Sequence, residues 1–212
     1  MTGRILPYGD HALLVELDGL DAVLALFRGL EAARPDGVVE LVPAARTIAV
    51  VVDPRILPLS AARGWIERTR PLPADAVAER VVELDVRYDG EDLADVARLT
   101  GRTEAEVVAV HTGTRWRVAF GGFAPGFAYL VGDGTVDGGA ADELEVPRRA
   151  TPRTAVPPGS VGLAGTFSGV YPRSSPGGWQ LIGRTDATLW DENADPPALL
   201  RPGTVVRFRE VR

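Results

Sequence analysis

The 212 residues carry a net charge of −6, contain no Cys, and draw every basic residue from Arg. Disulfides, thiolate nucleophiles and Cys-ligated metals are therefore excluded, as are Schiff-base chemistry, a P-loop phosphate lysine and a Ser/Lys catalytic pair. An acidic chain without a basic block offers no footprint to a nucleic-acid backbone, so any anion is a small one held by Arg, backbone N–H groups or a metal.

No apolar run reaches the length of a membrane span. The first residues, MTGRILPYGDH, lack the basic region and apolar core of a signal peptide, so no membrane partner and a cytoplasmic location are expected. Residues 5–17 read as a strand broken by a turn at Pro7, Gly9 and Asp10, with Leu13, Val15 and Leu17 alternating beyond it. Leu20, Val23, Leu24, Phe27 and Leu30 share one helical face, which ends at Arg34, Pro35 and Gly37. Two β-branched runs, 38–42 and 47–52, predict strands separated by Pro43. Ser60 offers an N-cap to a second helix with Ala62, Trp65 and Ile66 on one face, ending before Pro71. A fourth strand at 80–86 would complete a ferredoxin-like split β-α-β motif. The Pro- and Ala-rich stretch 71–79 marks a boundary, and the strand at 80–86 fits either side of it. The expectation is an N-terminal α+β domain over 1–79 and a mainly-β domain over 80–212.

Two short helices follow, Asp92 to Leu99 and Thr103 to Val110, closed by Gly101 and Gly113, the second opening on a Thr103/Glu106 capping box. A strand spans 115–120. Beyond it no helical period recurs. Instead, one turn signature appears four times, at Pro125-Gly126, Pro158-Gly159, Pro176-Gly177 and Pro202-Gly203. Pro fixes φ at the first central position of a type II turn and Gly accepts positive φ at the second, so four copies predict an all-β body, closed or partly closed as a barrel. The last strand is expected at 204–211.

Few side chains present themselves for chemistry. His111 and His11 are the only histidines, which excludes an HExxH or histidine-rich metal site and leaves a carboxylate Mg²⁺ site open. His111, at a helix end, is either a buried hydrogen-bonded histidine or a catalytic one. In VPRRATPRTAVP, Arg148 and Arg153 each follow a Pro-containing step at an interval of five. A flat strand would send them to opposite faces, so convergence on one carboxylate or phosphate needs a bend at Ala150-Thr151-Pro152; otherwise they bond backbone carbonyls. The loop 121–129 combines glycines with Phe123, Phe127 and Tyr129, which either wall a pocket or cap the barrel end. Gln180, the one Gln of the chain, sits in an apolar strand where its amide suits recognition of another amide.

Over nearly the whole chain the motifs YGDHALLVEL (8–17), LTGRTEAEVVAVHTG (99–113), GFAPGFAYL (122–130), PRRATPRTAVPPGSVGLAG (147–165), YPRSSPGGWQLIGRT (171–185) and LLRPGTVVRF (199–208) resemble the family of 5-oxoprolinase B subunits. The family is also labelled allophanate hydrolase subunit 1 and includes a sporulation histidine-kinase inhibitor. Ala128 and Thr204 depart from its usual Pro and Asp. The resemblance implies an α+β domain followed by a cyclophilin-like β-barrel, without implying prolyl isomerase activity. It also implies partners, the 5-oxoprolinase A and C subunits, in an ATP-dependent opening of 5-oxoproline to glutamate, with ATP and Mg²⁺ held by the complex. On that footing Arg148, Arg153 and His111 are the candidate catalytic residues, and Tyr129, Gln180 and Phe123 the candidate substrate contacts. Allophanate hydrolysis is the rival within the same class; unaided, it would need a Ser-Ser-Lys apparatus that a chain without Lys does not have. Inhibition of a sensor kinase is the rival from another class.

Overall fold

The computed structural model describes residues 3–73, 79–137 and 144–212. The chain divides into two compact units, Met1–Ala78 and Glu79–Arg212. Residues 74–78, within the boundary expected at 71–79, lie outside the described residues.

The first unit contains β1 (Arg4–Pro7), β2 (Ala12–Glu16), α1 (Leu20–Ala32), β3 (Val38–Pro43), β4 (Thr47–Val52) and α2 (Leu59–Arg68). Its sheet is wholly antiparallel in the order β1-β2-β4-β3. Alternation on β4 sends Ile48, Val50 and Val52 to one face, where they pack with Val23, Leu26 and Leu30 of α1 and Ala62 and Ile66 of α2. The helix α2 begins at Leu59 with Pro58 as its N-cap, so Ser60 falls inside the first turn and caps nothing. The strand expected at 80–86 to complete a ferredoxin-like motif is not in this sheet, and β1 lies at the edge beside β2. A tight turn through Gly9, whose φ is 68°, joins β1 to β2. Closing so short a hairpin costs less loop entropy than recruiting a strand from beyond α2.

That later strand belongs to the second unit. Here the elements are β5 (Val81–Val86), α3 (Leu93–Thr100), α4 (Glu104–Gly113), β6 (Thr114–Gly121), β7 (Ala128–Thr135), β8 (Arg153–Val156), β9 (Ser160–Ala164), β10 (Phe167–Val170), β11 (Ser175–Gly177), β12 (Gln180–Arg184) and β13 (Val205–Glu210). Seven of the strands form one sheet in the order β12-β9-β10-β7-β6-β13-β5, and β5 runs parallel to β13 from Val81 to Val86. The sheet curls back on itself: Arg87, just past β5, exchanges both backbone hydrogen bonds with Arg184 at the end of β12, each 2.9 Å long. The result is a barrel-like body filled by Leu84, Val118, Leu130, Leu163, Ile182 and Val206, against which α3 and α4 lay Val96 and Val107. The Thr103/Glu106 capping box opens α4, and Gly101 closes α3 in the left-handed region.

Three of the four Pro-Gly pairs place Gly at positive φ: Gly126 at 82°, Gly159 at 79° and Gly203 at 85°. The fourth does not turn. Ser175–Gly177 is strand β11, paired antiparallel with β8 in a two-stranded ribbon. A strand with a single neighbour tolerates Pro because one side of its backbone needs no donor. Among the described residues no helix is long and apolar enough to cross a membrane.

Candidate functional site

On the second unit, three connections meet over a cleft of about 270 Å³. The loop between β6 and β7 brings Phe123 and Phe127, with Tyr129 at the start of β7; the strap leading into β8 brings Arg148, Arg149 and Pro152; the segment around β11 brings Tyr171, Gly177, Gly178 and Trp179. The first loop is shaped by its turn residue. A Cβ on Gly126 would lie 2.8 Å from Cβ of Trp190, so only glycine lets this turn close. Phe123 is held at φ 66°, a left-handed conformation that costs a side-chain-bearing residue about 1–2 kcal/mol, and the residue is 58% exposed.

The floor is aromatic. Phe127 makes steep edge contacts with Phe123, Tyr129, Tyr171 and Trp179, at centroid distances of 5.3, 5.1, 5.4 and 5.4 Å. Each such pair contributes about 0.5–1.5 kcal/mol beyond simple burial, which fixes the rings relative to one another. Gly177 is required beside them, because a Cβ there would overlap Oη of Tyr171. Burial raises the Tyr171 pKa, opposed by the Trp179 backbone N–H and the charge of Arg148, so the phenol stays protonated.

The strap is pinned at several points. Gln180 Nε2 donates to the Pro147 carbonyl at 3.1 Å, and the Arg149 N–H donates to the Gly178 carbonyl at 2.8 Å. The guanidinium groups of Arg149 and Arg153 both donate to Asp92 Oδ1, the second at 2.8 Å, while Asp92 Oδ2 accepts the Leu181 N–H at 2.7 Å. Asp92 is only 2% exposed. It stands at the N-cap of α3 yet makes no capping bond, giving both oxygens to the strap and β12 instead. Burial alone would raise its pKa, but Arg153, the Leu181 N–H and Arg149 together hold it below the usual carboxylate value. Arg153 reaches Glu91 as well, at 3.1 Å. Arg149 Nε and Arg153 Nη1 are buried without a partner. Arg148, between these anchored neighbours, is exposed and has no ion pair or hydrogen bond among the described residues.

Of the residues singled out from sequence, Arg148, Tyr129 and Phe123 therefore meet in one cleft. The bend at Ala150-Thr151 is present, but it does not bring the two arginines together: Arg153 clamps the protein's own Asp92 and Glu91. Gln180 is buried behind the strap rather than lining the cleft. His111 lies elsewhere, fully buried between Trp116 and Phe208. Its Nδ1 is 2.7 Å from Tyr88 Oη and its Nε2 2.9 Å from Ser168 Oγ, and burial depresses its pKa to about 3. It is a neutral core residue away from the cleft. The sequence alone does not mark Asp92, Arg149, Tyr171 or Trp179. The Arg149 signal was its adjacency to Arg148. Asp92 reads locally as an ordinary helix start, and nothing near it signals a partner 57 residues on.

Residues 3–200 match the family model for the carboxyltransferase domain, subdomain C and D. The B subunit of 5-oxoprolinase from Escherichia coli O157:H7 is 43% identical over 178 residues, covering 81% of this chain and 77% of that protein. The corresponding B subunit from Bacillus subtilis (strain 168) is 39% identical over 228 residues, covering 97% and 91%. Among solved structures, TTHA0988 superposes with a TM-score of 0.77 at 35% identity over 95% of this chain; the chain spans 40% of that protein's length.

Proposed function

The chain belongs to the family of 5-oxoprolinase B subunits, and from that premise we propose that it acts as the B component of a heteromeric, ATP-dependent 5-oxoprolinase. The reaction opens 5-oxoproline to glutamate together with the A and C subunits. The observation that carries the reading is the near end-to-end likeness to the Bacillus subtilis protein, covering 97% of this chain and 91% of the relative. The cleft gives it chemical content. Its substrate would be a small ring bearing one carboxylate, and the cleft presents one guanidinium, uncommitted among the described residues, beside a wall of aromatic rings.

In this reading Arg148 receives the carboxylate, with Tyr129 and Phe123 bounding the ring. Arg153 and Gln180 act at one remove, as positioning residues that hold the strap through Asp92 and Pro147. His111 takes no part in the chemistry. In this reading ATP is not held by this chain's described residues. They include no cluster of three acidic or histidine side chains that could hold Mg²⁺, and the chain has no Lys for a phosphate. ATP and its metal are assigned to the complex.

Co-expression of the three components tests the reading. Glutamate should form from 5-oxoproline and ATP when all are present and fall to background when this chain is omitted; an unchanged rate on omission would refute it.

A further inference from the structure

The charges around the cleft are lopsided. Arg148 and Arg149 line it, and among the described residues no Asp or Glu does. The nearest carboxylate described, Asp92, is 2% exposed, and its oxygens are already taken by Arg149, Arg153 and the Leu181 N–H. Glu91 is turned outward, 78% exposed, and bonded to Arg153. Asp92 and Glu91 thus offset Arg149 and Arg153, while Arg148 has no carboxylate partner among the described residues. One further N–H group of the lining, Arg149 Nε, is buried and unmatched. A ligand carboxylate entering here finds donors and positive charge. A ligand ammonium finds like charge and, among the described residues, no anion to pair with. Aromatic faces attract cations, but the floor is largely committed: Tyr129 stacks on Phe120 at 4.6 Å, and Phe127 is engaged by four rings.

We infer that the cleft selects rings that carry a carboxylate and an uncharged ring heteroatom, and rejects amino acids whose nitrogen is protonated. This rests on the reading of the cleft as the substrate site and deepens it, because the two ends of the proposed reaction differ in this respect. Hydrolysis breaks the lactam C–N bond and forms a C–O bond from water. The acyl carbon leaves as a new carboxylate, and the nitrogen takes up protons to become an ammonium. Net charge is unchanged, and ATP hydrolysis supplies the drive. A neutral N–H next to the bound carboxylate has become a cation facing Arg148 and Arg149. The guanidinium groups that hold the carboxylate therefore oppose an ammonium beside it.

Calorimetric titration with tetrahydrofuran-2-carboxylate, 5-oxoproline and proline tests this, using the chain alone and assembled with the A and C subunits. The first two ligands keep an uncharged ring atom, and proline replaces it with an ammonium at almost constant shape. The two neutral-ring acids should bind, proline should bind at least about tenfold more weakly, and Arg148→Ala should weaken both acids by about tenfold or more. Equal binding of proline and tetrahydrofuran-2-carboxylate would overturn the selection, as would no heat from any acid in either preparation. Unchanged affinity in Arg148→Ala would overturn the placement of the site. Selective binding by an assembly that makes no glutamate would leave the selection standing and refute the proposed function.

Discussion

At the scale of single residues, the heaviest structural demand falls on Asp92. It is a buried carboxylate that holds two arginines and closes a hydrogen bond to β12. Removing one member of a buried ion pair leaves the others uncompensated, which costs about 3–5 kcal/mol. Asp92→Ala should therefore lower the stability read from urea unfolding by that amount, whereas Arg148→Ala, at an exposed and unpaired position, should change it by less than about 0.5 kcal/mol. His111 makes a second prediction. Its pKa is depressed from 6.5 to about 3 in the folded protein, so between those values the unfolded chain binds a proton that the folded one does not. His111 therefore contributes stability that is complete above pH 6.5 and lost as pH falls toward 3, at up to about 1.4 kcal/mol per unit. Urea midpoints measured from pH 6.5 to 5, above the range where carboxylates titrate, should fall steadily in the native protein. They should stay flat in His111→Asn.

At the scale of elements, closure of the curled sheet depends on two backbones passing at contact distance. A Cβ on Gly183 would lie 2.5 Å from the Arg87 carbonyl oxygen, within the bridge that joins Arg87 to Arg184. Gly183→Ala should open that seam. Amide exchange at Arg87 and Arg184 should accelerate well beyond that of the β6–β7 pair, and unchanged protection would show that the seam tolerates the methyl group. Elements of this kind were legible in the sequence where period or capping chemistry dictated them: the alternation of 47–52, the apolar face of α1 and the capping box of α4 are all present in the fold. Pairing was less legible. The run at 81–86 reads as a strand, but its partner, β13, lies over 120 residues away, and no local signal distinguishes it from β2. Pro176-Gly177 has the letters of a turn and the geometry of a strand, because an edge position next to β8 and the bulk of Tyr171 decide the matter. The candidate site divides in the same way. Its aromatic loop and Arg148 stand out as composition, whereas the anchoring of the strap by Asp92 is a tertiary fact.

At the scale of the whole molecule, the second unit contains the cleft, its strap and its anchor entirely within Glu79–Arg212. It also keeps its first residue engaged, since Glu79 bonds to Arg115 and Arg117. Residues 79–212 expressed alone should fold with a single cooperative melt and bind tetrahydrofuran-2-carboxylate with the affinity of the full chain. A loss of more than about tenfold would show that the first unit completes the site.

Phe127 touches four rings at once, all edge to face, and a Cβ on Gly169 would come within 3.1 Å of its Cζ. A half-turn of its ring sweeps space that these close-packed neighbours border, so it requires them to give way. The half-turn of this one phenyl group is thus tied to the breathing of the cleft it underlies, and its rate is a clock for how often the floor loosens. A ligand that tightens the floor slows that clock, even where it makes no contact with Phe127 itself.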